Sequence, residues 1–307
     1  METAALLSMP GGRAKTMFKF AFDAIGTSWE IDTPRPLSAS VRQEILERIE
    51  RFDTVYSRFR SDSIVARIAA AADGGSFQFS DDAPALFELY DRLLAATSGA
   101  VDPLIGRDLE LLGYDRHYSL THDPIAIERH SHKRPSWTAD IQRQGSAVVT
   151  QRPVVIDVGA AGKGYLVDIV AGMLRDDGVE AFVVDGSGDL RHAGSEPLDV
   201  GLEHPLDSDL AIGVARLKGR ALCASASNRR AWGPFHHVVD GRTGVPVRDV
   251  IATWVVADDA LTADGLATAL FFTQAQDLAA SFDFSFVRMF ADGRADISSN
   301  FEGELFT

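Results

Sequence analysis

The chain of 307 residues holds one cysteine, Cys223, which excludes an internal disulfide and any zinc site built from several thiolates, and fits a reducing compartment. Basic residues are also scarce: 30 Lys and Arg stand against 44 Asp and Glu, for a formal net charge of −14. A surface that grips nucleic acid or an anionic membrane needs a basic face to displace counterions, so this balance argues against both partners. An anionic ligand would have to be held locally, by a loop, a lysine or a metal ion. No repeat period or low-complexity tract is present. The first residues, METAALLSMPGGRAKTM, hold an apolar run too short for a signal peptide and no cysteine for a lipid, so a cytoplasmic protein without membrane insertion is the expectation. With 46% hydrophobic and 24% charged residues, the chain reads as an ordinary globular one, long enough for one large domain or two intimate ones.

What the chain does have is concentrated between Val154 and Gly194. Val154, Val155 and Ile156 form a β-branched run that fits a buried strand, ending at Asp157 and a Gly-Ala-Ala-Gly-Lys-Gly turn. Val167, Val170, Ala171 and Leu174 then recur at helical spacing, Gly178 supplies a stop, and Val179 to Val184 reads as a second strand closing on Asp185-Gly-Ser-Gly-Asp189. Glycine loops after strands leave backbone N–H groups free to meet an anion, and Lys163 adds a positive charge. A Walker phosphate loop is excluded, because only two residues separate Gly159 from Gly162 and no Ser or Thr follows Lys163. The dinucleotide fingerprint fails as well, since its glycines run in another order. Taken alone, the loop fits a tight strand-to-helix connection.

Earlier in the chain, Phe18 to Ile31 reads as a strand or hairpin turning at Ala24-Ile-Gly-Thr27. Ser40 with Gln43 suggests a capping box for a helix whose apolar face is Val41, Ile45, Ile49 and Phe52. Ser57-Arg-Phe-Arg-Ser-Asp-Ser63 reads as a helix end and loop, and Asp82 and Pro84 open a helix carrying Leu86, Leu89, Leu93 and Leu94 that stops at Gly99. The Asp102-Pro103 step favours an extended or turn conformation. From Asp115 to Gln144 the chain is polar, with His117, His122, His130 and His132. A His-x-His metal site there lacks a carboxylate or cysteine at matching spacing, and a solvated excursion between strands explains it better.

Later, His236 and His237 lie beside Asp240 and Arg242 in a polar turn, a group too costly to bury idly. Val250 to Val256 reads as a strand, and Ala263-Asp-Gly-Leu-Ala-Thr-Ala-Leu-Phe271 as the opening of a helix. Asp264 and Thr268, four apart, share one face of it and offer two oxygens to a hard cation, or else are a helix cap and a surface threonine.

Taken together these stretches resemble the ApbE family of flavin transferases, which move FMN from FAD onto a threonine of a target protein. Ile25-Gly26-Thr27 matches a Met-Gly-Thr that meets the flavin, and Ser57, Phe59 and Ser63 match S-x-Y-x-x-x-S, with phenylalanine in place of the flavin-stacking tyrosine. Ala100-Val-Asp-Pro103 resembles G-x-F-D-P, and Asp157 to Asp168 is similar to D-L-G-G-I-A-K-G-Y-A-V-D almost position for position. Ser225 falls at a T-S-G step, His237 to Gly244 parallels H-I-I-D-P-R-T-G with glycine for proline, and Ala263 to Thr268 parallels A-D-A-L-A-T.

The resemblance implies an α+β fold, mixed sheets with flanking helices around a cleft, spanning residues 18–307 after a loose tail at 1–17. It implies FAD as substrate, Mg2+ held by Asp264, Thr268 and the backbone carbonyl of Ala160, and an acceptor flavoprotein with a target Thr. Ile25, Phe59, Ala100, Val101, Asp102, Lys163 and Val238 would line the FAD site, and His237 would be the base that activates the threonine hydroxyl. A magnesium-dependent FAD pyrophosphatase using water as nucleophile, and an FAD-binding protein without turnover, are the alternatives.

Overall fold

A computed structural model describes residues 17–306. Of the expected tail at 1–17, only Met17 lies within the described residues. Eight strands form the central sheet, ordered in space Phe18–Ala24, Thr27–Thr33, Phe182–Asp185, Asp189–Ala193, Ala221–Ala226, Val250–Ala257, Ser285–Phe290 and Ala295–Ile297, with every neighbouring pair antiparallel. Mixed helices and antiparallel sheet of this kind make an α+β fold, as expected.

Side chains alternate across the sheet with the two-residue period of a strand. From Ala221–Ala226 and Val250–Ala257, Cys223, Val255 and Ala257 point into a core shared with the helices Ala39–Tyr56, Ala83–Ala96, Gly162–Asp176 and Ala260–Ala269. Leu222, Trp254 and Val256 point the other way, onto a three-stranded sheet that contributes Val200, Leu202, Ala215 and Leu217. Both faces are therefore covered, and burying a side chain such as Leu222 (3% exposed) contributes about 2 kcal/mol.

The expected hairpin forms, with Ile25 (φ 45°) and Gly26 (φ 78°) as the two-residue turn that antiparallel strands favour. Gly178 (φ 76°) ends its helix, and the helix Ala83–Ala96 buries Leu86, Leu89 and Leu93. Four expectations are corrected. Val154 to Ile156 is no strand: Val154 and Ile156 are buried, but the run packs beneath Gly106 and donates Asp157 N–H to Pro103 O (2.8 Å) instead of joining a sheet. The first long helix is capped by Ser38, whose Oγ accepts from Val41 N (3.2 Å), while Ser40 lies inside the helix and Gln43 reaches Glu47. The helix bearing Asp264 begins at Ala260 behind the cap Asp259, so Asp264 stands mid-helix and is buried. The polar stretch 115–144 is more than a solvated loop, because it folds the helix Pro124–Ser131, buries Trp137 with its indole N–H on Asp91, and sets His130 against Asp108 (3.2 Å).

Candidate functional site

The helices Gly162–Asp176 and Ala260–Ala269 meet at backbone contact, because a Cβ on Gly164 would stand 2.1 Å from Ala260 O and 2.7 Å from Asp264 Cβ. Each helix caps the other. Asp264 Oδ2 accepts from Gly164 N (2.9 Å), and Asp168 Oδ2 accepts from Leu261 N (2.8 Å), so a carboxylate from each helix faces the positive N-terminal end of its partner. Beside Asp264, Thr268 Oγ1 donates to Ala160 O (3.3 Å), which brings a carboxyl, a hydroxyl and a backbone carbonyl together. Burial, and then the charge of Asp189, pushes the Asp264 carboxyl well above the usual carboxylate range. Asp189 is itself wholly buried, and burial raises its pKa against the pull of Lys163.

Lys163 stands in the first turn of the helix rather than in the loop where it was expected. Its ammonium donates to Gly186 O (2.7 Å) and Ser187 O (2.9 Å) and lies 3.2 Å from Asp189 Oδ2. Its charge thus offsets part of that of the two buried carboxyls before any ligand arrives.

Across the cleft, Arg58 is buried with its Nε on Asp157 Oδ2 (2.5 Å) and Nη1 on Tyr114 O (2.8 Å). Burial opposes ionisation of Asp157, but Arg58 more than offsets it and holds this carboxyl below the usual range. The arginine also lies over the Phe59 and Tyr114 rings, in an aromatic wall that continues through Trp232, stacked on Tyr114. Ala100, Val101 and Asp102 form the adjoining turn, where both Asp102 oxygens accept backbone N–H groups, from Leu104 (2.8 Å) and Trp137 (3.1 Å). Glycine at 241 belongs to this packing. Its N–H donates to Ala100 O (2.8 Å), and a Cβ there would meet Gly99 O at 2.8 Å.

His237 reaches the cleft and His236 does not. His236 Nε2 donates to Val247 O (2.6 Å) while its Nδ1 accepts from Val238 N (3.2 Å), so that ring is a fastener of the turn. His237 Nδ1 lies 3.4 Å from Arg230 O, an atom that can only accept, which assigns the proton to Nδ1 and the lone pair to Nε2. Burial, then the Arg230 charge, lowers the His237 pKa to about 4, so the imidazole is neutral at physiological pH.

All eleven residues singled out from the sequence line one cleft of about 940 Å³. Ile25 reaches it from the hairpin turn, Phe59 from the aromatic wall, Val238 and His237 from the polar turn, and Ala160, Lys163, Asp264 and Thr268 from the two helices. Sequence reasoning missed Arg58, Tyr114, Trp232 and Asp189. An acid closing a glycine loop at a strand end was the signal for Asp189, whereas nothing local marks Arg58 as the buried arginine of Arg58 and Arg60. Among the described residues no group of three or more His, Cys, Asp and Glu is placed to hold a metal ion, and no helix is long and apolar enough to cross a membrane.

A sequence model of the ApbE family matches residues 25–285. The FAD:protein FMN transferase of Klebsiella pneumoniae is 24% identical over 279 residues, covering 85% of this chain and 80% of that protein. The protein of the same description from Treponema pallidum is 25% identical over 294 residues, with the same shares of 85% and 80%. Among solved structures, the flavin transferase ApbE from Vibrio cholerae superposes with a TM-score of 0.80 at 21% identity, covering 92% of this chain and 97% of that one. The ApbE protein from Thermotoga maritima gives 0.80 at 24% identity over the same shares.

Proposed function

The chain belongs to the ApbE family, and on that premise we propose that it transfers FMN from FAD to a threonine hydroxyl of an acceptor flavoprotein, with Mg2+ at the carboxylate centre and AMP released. The observation that carries this reading is one cleft lined on one side by an oxygen-only donor set and elsewhere by a neutral imidazole. Its volume, about 940 Å³, stands at the upper end for small-molecule sites and suits a dinucleotide.

The donor set fits magnesium. Asp264, Thr268 and the Ala160 carbonyl are hard oxygen ligands, and two buried carboxyls against one lysine leave a negative excess that a cation would relieve. When bound, the ion would supply Lewis acidity to the FAD pyrophosphate. The chain's own residues do the rest. Gly164 N–H fixes the Asp264 carboxylate, and Lys163 keeps Asp189 paired. The acceptor hydroxyl loses its proton to His237 Nε2 as its oxygen attacks the phosphorus nearer riboflavin. The P–O bond to the AMP phosphate breaks, and AMP carries away the bonding pair. A base of low pKa is kept unprotonated at neutral pH but draws the proton less strongly, so alignment must supply most of the rate. A cytoplasmic location rests on composition alone.

Incubation of the protein with FAD, MgCl2 and a candidate acceptor, followed by weighing of each product by mass spectrometry, tests the reading. It is supported by an acceptor heavier by the FMN phosphoryl adduct together with AMP. Free FMN with unmodified acceptor would mean hydrolysis, and intact FAD would mean binding alone; either would overturn it.

A further inference from the structure

Phe59 stands where the family places a flavin-stacking tyrosine, yet three side chains already crowd its ring. The Arg58 guanidinium carbon lies over its ring, 4.2 Å from the centroid. Tyr118 stacks on it with centroids 5.4 Å apart and planes 6° from parallel. The guanidinium and the phenol both pack on this ring, and Tyr114 closes on it edge-on at 5.4 Å. A flavin inserted between Phe59 and Tyr118 would need about 7 Å between their planes, two contact layers of roughly 3.5 Å. The centroids, at 5.4 Å, are nearer than that.

Tyr118 has the open face. Its side chain lines the cleft and it is 55% exposed, while Phe59, itself packed against Arg58, stacks on its ring. The turn that carries it is fastened on both sides: Asp115 Oδ1 accepts from His117 N (2.8 Å) and Ser119 N (3.2 Å), and Leu120 N donates to Gly113 O (2.8 Å). Within that turn Tyr118 holds φ 50°, a conformation that bulky residues rarely adopt and that persists only where the surroundings impose it.

We propose that Tyr118, and not Phe59, is the platform on which the isoalloxazine ring of the flavin stacks, with Phe59 and Arg58 as its backing. The inference rests on the reading of the cleft as an FAD site. An exposed phenol ring with a rigid back presents a flat apolar face at little entropic cost, which is what a planar tricycle requires.

The test measures affinity for FAD, FMN and AMP by calorimetry and the fluorescence of bound FMN, in wild type and in Tyr118→Ala, Tyr118→Phe and Phe59→Leu. In Tyr118→Ala, binding of FAD and FMN should weaken by about 5- to 150-fold, the range for losing one stacked base, and bound FMN should regain fluorescence. AMP affinity should stay unchanged, Tyr118→Phe should behave as wild type, and Phe59→Leu should lose less than Tyr118→Ala. Because Tyr118 is exposed, a thermal melt matching wild type should confirm that Tyr118→Ala folds. Unchanged FMN affinity and quenching in Tyr118→Ala, or a larger loss in Phe59→Leu, would overturn the proposal while leaving the FAD reading intact. Loss of AMP affinity alone would assign Tyr118 to the adenine end and equally overturn it. A wild-type protein that binds no FAD would sink both.

Discussion

Substituting Gly164 by alanine puts a methyl group 2.1 Å from Ala260 O and 2.7 Å from Asp264 Cβ. Ordinary contact is about 3.5 Å, so the two helices must separate by roughly 1 Å, and the nearest obstacle is backbone that cannot rotate away. Overpacking of this kind costs about 1–3 kcal/mol, and the better helix propensity of alanine offsets at most about 1 kcal/mol. A net loss of up to about 2 kcal/mol corresponds, in a chain of this length, to a fall in Tm of up to about 3 °C. The kinetic effect should be larger, because Asp264 sits on the displaced helix and a shift of about 1 Å in a positioned group is enough for a loss of about 10²-fold. Thermal melts and the rate of acceptor labelling per folded molecule, measured on Gly164→Ala beside wild type, read the two quantities separately. An unchanged or raised Tm with labelling within a few-fold of wild type would refute the claim that these helices are held at backbone contact.

Asp264→Asn keeps an oxygen to accept from Gly164 N but removes a carboxyl whose ionisation is disfavoured by burial and by Asp189, so the apoprotein should melt no lower than wild type while Mg2+-dependent FAD turnover is lost. Retained turnover would discard the metal assignment. His237→Ala should still bind FAD but slow transfer by about two to four orders of magnitude, whereas His236→Ala should lower Tm and spare the rate per folded molecule; the reverse pattern would name the other histidine. With the His237 pKa lowered to about 4, chiefly by burial, transfer should show no histidine titration between pH 8 and 5, and Arg230→Gln, by removing a neighbouring charge that lowers it further, should shift the acid limb of the pH–rate profile upward. Asp168, raised to about 6 chiefly by burial, binds its proton more tightly folded than unfolded, so its ionisation withdraws on the order of 3 kcal/mol of stability as pH rises from about 4 through 6. Asp168→Asn should therefore melt higher than wild type at pH 8 and equally at pH 4, and a variant less stable at both would show that the carboxylate is a net brace.

Local signals reached as far as local physics does. Gly26 announced its turn because glycine takes positive φ without strain, although no local rule puts the β-branched Ile25 there at φ 45°, and the helical stripes of Val41, Ile45, Ile49 and Phe52 or Leu86, Leu89 and Leu93 are periods that any core-facing helix must show. The eleven residues singled out from the ordered motifs all line one cleft, since spacing along the chain survives folding. What failed was partnership. The β-branched run at Val154 signalled burial but not the absence of a neighbouring strand, and Lys163 signalled a charge but not that Asp189, 26 positions on, would hold it. Phe59 carried the aromatic expected at its position, and only three dimensions reveal Arg58 and Tyr118 over its ring.

The exchange of carboxylates between the helices Gly162–Asp176 and Ala260–Ala269 has a dynamic consequence. A helix end that relies on its own cap can fray alone, but here opening either first turn releases the donor that the other helix's aspartate was holding. Fraying of either first turn therefore costs a hydrogen bond to the other helix, so the amide protons of Gly164 and Leu261 should exchange more slowly than those of a helix end held by its own cap alone. The donor set beside Thr268 is thereby tied to both helix starts, since the same carboxyl of Asp264 that belongs to it also holds Gly164 N.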